Sequence, residues 1–251
     1  MLAVTRRDTI KAMIFEKKSV VVTDLAKHFN VSEETIRRDL SVLEKECILT
    51  RTYGGAFIQS GVLNTISSNI RQGYMVEHKE IIASLALENI SNGDSIFIDN
   101  STTSLCLAKK LNNMRIVVTT DSLNVANVLC EFPQIKLYLI GGEFQKDSMS
   151  FSGAPASTNL SRYFFDKCFV SCRSITVDHG ITDSNEYQAE LRSLAILHST
   201  QAFLLCDHSK FDRDSFSKIC DFNDIYALIT NKQPNSYWID FLASQDVKLY
   251  Y

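Results

Sequence analysis

Apolar residues in the first sixty positions recur at intervals of three and four: Ile10, Met13 and Ile14, then Leu25, Ala26 and Phe29, then Ile36, Leu40 and Leu43. That is the spacing of helices that bury one face, and it predicts three short helices in succession. Thr23 or Asp24 can cap the second, Asn30 suits a left-handed exit from it, and Ser32 can cap the third with Glu33 and Glu34 in its first turn. The stretch "ILTRTYGGA" at 48–56 then sets β-prone residues before Gly54 and Gly55, which predicts two short strands and a turn. Helices in this order, closed by a hairpin, form a helix-turn-helix layout with a wing.

The period changes further along. Residues 57–76, "FIQSGVLNTISSNIRQGYMV", mix Ser, Asn and Gly with scattered apolar positions and predict a linker. From Glu77 a helical pattern resumes through Ile81, Ile82, Leu85, Ala86 and Ile90, and "SNGD" at 91–94 ends it. Beyond it, β-rich runs at 95–99, 115–120, 136–142, 167–171, 202–207, 225–230 and 247–251 alternate with helical stretches such as 104–111, 122–132 and 189–198. Alternation of this kind predicts a mainly parallel sheet covered by helices, with any ligand held where strands end and helices begin. The chain therefore divides into a head at 1–56, a linker at 57–76 and an α/β domain at 77–251.

Length and composition agree with that division, since 251 residues at 45% apolar can form one sizeable core plus a small second domain. The longest apolar runs, such as "AFLLC" at 202–206, fall far short of the roughly 20 residues that span a bilayer. Arg6, Arg7, Asp8 and Lys11 interrupt the N-terminus, which lacks the apolar stretch of a signal peptide. A cytoplasmic protein without a membrane partner is expected. Seven cysteines contain no C-x-x-C pair, and Cys168 and Cys172, in the run "KCFVSCRSI", read as small hydrophobes and not as a metal or redox pair. His179, between Asp178 and Gly180, reads as a solvated loop residue, so neither a metal nor another cofactor is expected.

Charge sharpens the reading of the head. The net charge is −3, yet residues 1–60 carry ten Lys/Arg against eight Asp/Glu, so a basic pole there depends on placement more than on total. At about 100° per residue, Arg38, Glu34, Ser41 and Lys45 point away from the face of Ile36, Leu40 and Leu43, and Thr35 and Arg37 flank it. From such a helix, arginine can pair with guanine and phosphate, and Glu34 can accept from a cytosine amine. Taken alone, the helix reads better as a solvated face of Glu/Arg pairs, and the wing that follows, with Arg51 in it, reverses that preference in favour of DNA.

Arg7, Ile10, "VVVTDLAKHFNVSEETIRRDLSVLE" and the closing "GGA" resemble the winged helix-turn-helix of the DeoR (deoxyribose-operon repressor) family. The resemblance implies a recognition helix at 32–43, with Ser32, Glu34, Thr35, Arg37, Arg38 and Arg51 at double-stranded DNA. "DNSTTS", "TTDS", "IGGEF", "AELRS" and "DHSKF" likewise resemble that family's sensor domain, which is related to the ribose-phosphate isomerases. This implies a phosphorylated-sugar effector held by Asp99, Ser101, Thr102, Thr103, Thr120, Asp121, Gly141, Gly142, Arg192 and Lys210. Against the family's usual pattern, Ser101 stands for a glycine, Asp121 for the asparagine of a Thr-Asn pair, and Arg192 for a lysine. An ionised Asp121 beside a phosphate would repel it.

The expectation is a sequence-specific regulator of a carbohydrate-catabolic operon, most simply a repressor relieved by its effector, acting as a homo-oligomer (a dimer or tetramer) held by 77–251. An activator with the same head is one alternative. The other is a sugar-phosphate isomerase with Asp99 or Glu190 as base and Arg192 or Lys210 as cation.

Overall fold

A computed structural model describes residues 2–17, 19–45, 49–57 and 75–251. The chain separates into two compact units, Met1–Met75 and Val76–Tyr251. Most of the linker expected at 57–76 lies outside the described residues; at its ends, Phe57 belongs to a strand and Val76 to a helix.

The first unit contains α1 (Ala3–Lys17), β1 (Ser19–Val21), α2 (Val22–Phe29), α3 (Glu33–Lys45), β2 (Thr50–Arg51) and β3 (Gly55–Phe57). Its core gathers the predicted positions Ile10, Ile14, Leu25, Ile36, Leu40 and Leu43 together with Val20, Leu49 and Ala56. Each fully buried aliphatic side chain contributes about 1.5 to 3 kcal/mol. Asn30 closes α2 at φ 51°, and Ser32 Oγ accepts the Thr35 backbone N–H at 3.3 Å at the start of α3.

The entry to α2 differs from expectation, because the helix begins at Val22 and neither Thr23 nor Asp24 caps it. The strand β1 pairs with β3 immediately before it, and the Val22 N–H donates to the Gly54 carbonyl at 2.9 Å. A backbone acceptor from the wing thus replaces a side-chain cap. The wing sheet has the order β1-β3-β2, so the predicted hairpin gains a third strand from ahead of α2. Gly55 is required there, since a Cβ would sit 2.1 Å from the Val20 carbonyl oxygen. Beneath α3, Arg6 Nε donates to Asp39 Oδ2 at 2.6 Å, and both side chains are 8% exposed.

The second unit runs α4 (Val76–Leu87), β4 (Ser95–Ile98), α5 (Thr102–Ala108), β5 (Val117–Thr120), α6 (Leu123–Leu129), β6 (Lys136–Leu139), β7 (Glu143–Gln145), β8 (Ser150–Ser152) and α7 (Ala154–Leu160). It continues through β9 (Phe165–Ser171), β10 (Ser174–Thr176), β11 (Gly180–Asp183), α8 (Glu186–Leu197), β12 (Ser199–Leu205), β13 (Ser217–Cys220), β14 (Ala227–Ile229), α9 (Ser236–Ser244) and β15 (Lys248–Tyr250). Seven of these strands form one parallel sheet in the order β15-β14-β12-β9-β4-β5-β6.

Successive residues of a strand face opposite sides, so the continuous apolar runs of β9 and β12 supply two cores at once. Cys168, Val170 and Leu204 join Trp238, Ala195 and Leu160 on one side, while Phe169, Phe203 and Leu205 join Ile82, Leu107 and Val118 on the other. The hairpin β7-β8, the antiparallel sheet β10-β11-β13 and helices α7 and α9 were not among the predicted elements. Because the seven strands are parallel, the residues after β4, β5, β9, β12 and β14 all leave at one edge. Among the described residues, no helix is long and apolar enough to cross a membrane.

Candidate functional site: recognition helix and buried polar centre

On α3 the predicted division of faces is present. Ile36, Leu40 and Leu43 are buried, whereas the side chains of Arg37 and Arg38 are 51% and 80% exposed. Arg37 bonds Glu33 at 3.0 Å and Arg38 approaches Glu34 at 3.5 Å, each one turn back along the helix. Exposed pairs of this kind contribute about 0.3 to 0.5 kcal/mol, so either arginine can exchange its carboxylate for a phosphate or a base at little cost. Ser32 and Thr35 share a hydroxyl contact of 2.9 Å at the helix start.

Arg51 is tied back to the end of α3: its N–H donates to Glu44 Oε1 at 3.0 Å and its Nε to Oε2 at 2.6 Å. Those two bonds, the backbone one first, hold the Glu44 carboxyl below its usual range. Tyr53, which sequence reasoning did not single out, is fully exposed between β2 and β3.

In the second unit, the exits of the parallel strands build a buried polar centre around Arg192, which is 4% exposed on α8. Its Nε donates to Asp99 Oδ2 at 2.7 Å and its Nη2 to Asn100 Oδ1 at 3.0 Å, and its Nη1 bonds Asp183 Oδ2. Burial opposes the charge on Arg192, but the Asp183 and Asp99 carboxylates raise its pKa nonetheless. Asp99 is also buried, which works against its ionisation. Arg192, with hydrogen bonds from Ser104, Ser171 and Ser101, holds the Asp99 carboxyl below its usual range.

The loop after β4 is equally committed to internal bonds. Asp99 Oδ1 accepts from the Ser104 hydroxyl at 2.5 Å and the Ser101 N–H at 3.0 Å, and Ser101 Oγ caps α5 by accepting the Ser104 N–H at 3.0 Å. Thr102 and Thr103 are buried beside it. Asn100 continues the network by donating to Ser150 Oγ at 2.7 Å, which meets Ser148 at 2.8 Å.

Asp121 is the exception. Its Oδ1 and the hydroxyl of Ser152 are buried without a partner among the described residues. Burial first, and the neighbouring Asp99 carboxylate second, push its pKa up to about 8. At neutral pH it is therefore a neutral acid with an O–H to donate, which removes the repulsion expected of an ionised Asp121. Thr120, preceding it, is fully buried and accepts the Ser122 N–H at 3.1 Å.

Lys210 reaches the centre from beyond β12, donating to Ser171 Oγ at 2.8 Å and lying 3.8 Å from Asp207, with its side chain 19% exposed. The two glycines separate in role: a Cβ at Gly142 would meet the Ser152 carbonyl at 2.6 Å, whereas one at Gly141 would meet nothing within 4 Å. Gly142 is required by packing, and both glycines are exposed. Glu190 is exposed on α8, where its carboxylate accepts from Ser157 at 2.9 Å. Sequence reasoning missed Asp183, Asn100, Ser150 and Ser171. Only "DNSTTS" carried a local signal, for Asn100; the others become visible once β8, β9 and β11 are placed.

Residues 6–61 match the DeoR-like helix-turn-helix domain and residues 75–232 match the DeoR C terminal sensor domain. The HTH-type transcriptional regulator YulB of Bacillus subtilis is 35% identical, with 99% of this chain and 96% of that protein aligned. The HTH-type transcriptional repressor GlcR of the same organism is 33% identical over 94% and 96%. The lactose phosphotransferase system repressor of Staphylococcus epidermidis is 32% identical over 90% and 91%. Among solved structures, ribose 5-phosphate isomerase A from Methanocaldococcus jannaschii aligns over 53% of each chain at 14% identity and a TM-score of 0.40.

Proposed function

This chain belongs to the DeoR family of DNA-binding transcriptional regulators and is not an enzyme, and from that premise we propose that it represses a carbohydrate-catabolic operon until a phosphorylated sugar releases it. The observation that carries the reading is the two-faced α3, with an apolar side in the core and Arg37 and Arg38 free to exchange partners. Arg38, Glu34 and Thr35 meet base edges in the major groove, and Ser32, Arg37 and Arg51 meet the backbone. Repressor is the sign carried by the names of GlcR and the lactose phosphotransferase system repressor, and activation from the same head is the alternative.

The effector's phosphate is met by Lys210, a cation of the centre that keeps surface, while Arg192 holds the floor together from below. Asp121 donates its proton to the sugar or the phosphate, and Ser101, Thr102, Thr103, Thr120, Gly141 and Gly142 shape the walls. The head lies in 1–56 and the sensor in 77–251, joined by 57–76, and the sensor holds a cytoplasmic dimer or tetramer on repeated half-sites. Release is linkage: an effector that prefers one arrangement of the sensors disfavours DNA in return, by about 1 to 3 kcal/mol per site.

A thermal-shift panel of sugar phosphates and their parent sugars tests this. A true effector at about 100 times its dissociation constant stabilises the protein by about 2.7 kcal/mol, and the same compound releases operator DNA in a fluorescence-anisotropy titration. A parent sugar that matches its phosphate in both assays would overturn the phosphate reading.

A further inference from the structure

Cys172 follows the last residue of β9 and Cys206 the last residue of β12. Ser171 and Leu205 are the last register partners of the parallel ladder, so the two cysteines follow it side by side, one residue past its end. Their sulfurs are 3.9 Å apart in a thiol–thiol contact, with Cys172 5% exposed and Cys206 fully buried. Neighbouring strands run about 4.8 Å apart, inside the roughly 4.4 to 6.8 Å between Cα atoms that a disulfide bridges. Both residues sit where the chain leaves the sheet, so the sulfurs can close to bonding distance without breaking a ladder.

The surroundings favour a reactive thiol at one end of the pair. Lys210 donates to the hydroxyl of Ser171, the residue before Cys172. Burial raises the cost of a Cys172 thiolate, but the Cys206 thiol, Lys210 and Arg192 outweigh it, against an opposing Asp183, and Cys172 falls below the usual thiol range. Cys206 moves the opposite way, raised by burial and by Cys172 itself. Cys172 also keeps the little surface the pair has, 5% against none for Cys206, so it is the sulfur that meets an oxidant first.

We propose that Cys172 and Cys206 are a redox-responsive dithiol that a peroxide closes to a disulfide beneath Lys210. The Cys172 thiolate attacks one oxygen of hydrogen peroxide, forming an S–O bond as the O–O bond breaks, and the departing hydroxide takes a proton to leave as water. The Cys206 sulfur then attacks the Cys172 sulfur. An S–S bond forms, the S–O bond breaks, and the hydroxyl leaves with the Cys206 proton as a second water. Two electrons pass from the sulfurs to the peroxide, and a small thiol reverses the change by exchange. The disulfide pulls the exits of β9 and β12 together and shifts Ser171 under Lys210. Its effect on release from DNA rests on the effector reading above; the chemistry does not.

Reduced full-length protein is exposed to hydrogen peroxide, quenched with N-ethylmaleimide and mapped by mass spectrometry. The expected result is a peptide joining Cys172 to Cys206, with a mass loss of about 2 Da that dithiothreitol reverses. In C206S, dimedone labels Cys172 instead; in C172S, no cross-link forms at Cys206. Melting curves of both variants confirm that they are folded, and a C172A/C206A pair replaces any that is not. A disulfide at other cysteines, or sulfinic acid on Cys172 of the wild-type chain without a cross-link, would overturn the proposal. The mass readout needs neither DNA nor sugar, so its failure is distinct from failure of the repressor reading.

Discussion

Arg38 on α3 and Arg192 on α8 carry the same guanidinium into opposite surroundings. The Arg38 side chain is 80% exposed and meets one carboxylate at 3.5 Å, whereas that of Arg192 is 5% exposed and clamps Asp99 and Asp183 together. In water a paired charge gains little from its partner and is free to change it. In the interior the same charge costs several kcal/mol to desolvate, and the partners that offset this cost are also what it can no longer leave. A sequence that places arginine at both positions has thus made one exposed group free to change partner and one internal strut.

The contrast breaks first if Arg192 proves dispensable. Arg192→Met leaves two buried carboxylates unpaired and lowers stability by about 3 to 5 kcal/mol, read as a urea midpoint; a loss under 1 kcal/mol would mean the centre relaxes and the clamp is not structural. Arg38→Ala is expected to leave that midpoint unchanged and to weaken the operator by about 1 to 3 kcal/mol with little loss on random DNA. Equal small losses on both DNAs would return α3 to a solvated face.

Asp121 sharpens the comparison through pH. Folded, it keeps its proton up to about pH 8; unfolded, it releases it near pH 3.9. Unfolding therefore releases a proton between these values, and stability falls as pH rises from about 4 to about 8 and levels off above. Asp121→Asn removes this slope, so its stability relative to the wild-type chain climbs steadily between about pH 4 and about pH 8, with no gain near pH 4. Parallel melting curves for the two proteins across that range would refute the assignment. Smallest is Arg51→Ala, for which binding should weaken alike on all sequences and the salt slope fall by about one. A sequence-selective loss would put Arg51 at a base.

Much of the head was legible because its information is local. The spacing of Ile36, Leu40 and Leu43, the cap at Ser32 and the exit at Asn30 concern residues within a turn or two of one another, and the structure follows them. The same reading failed at the start of α2, where the decisive acceptor is the carbonyl of Gly54, 32 positions further along the chain than Val22. In the larger unit the runs that became β4, β5, β6, β9, β12, β14 and β15 were legible from their composition. The hairpin β7-β8 and the sheet β10-β11-β13 were not, since their short polar strands carry no apolar period.

The sequence by itself determined the three helices of the head, the seven strands of the parallel sheet, the division into head and sensor, and the family, because periodicity, caps and motif spacing are written in neighbouring residues. Tertiary structure alone decided what the polar residues of the sensor do. Asp99 lies 93 positions from Arg192 and Cys172 lies 34 from Cys206, and parallel strands join such partners only through whole βα units. No local pattern encodes which strand exits will share an edge, and it is that edge which spends Arg192, protonates Asp121 and brings two sulfurs into contact.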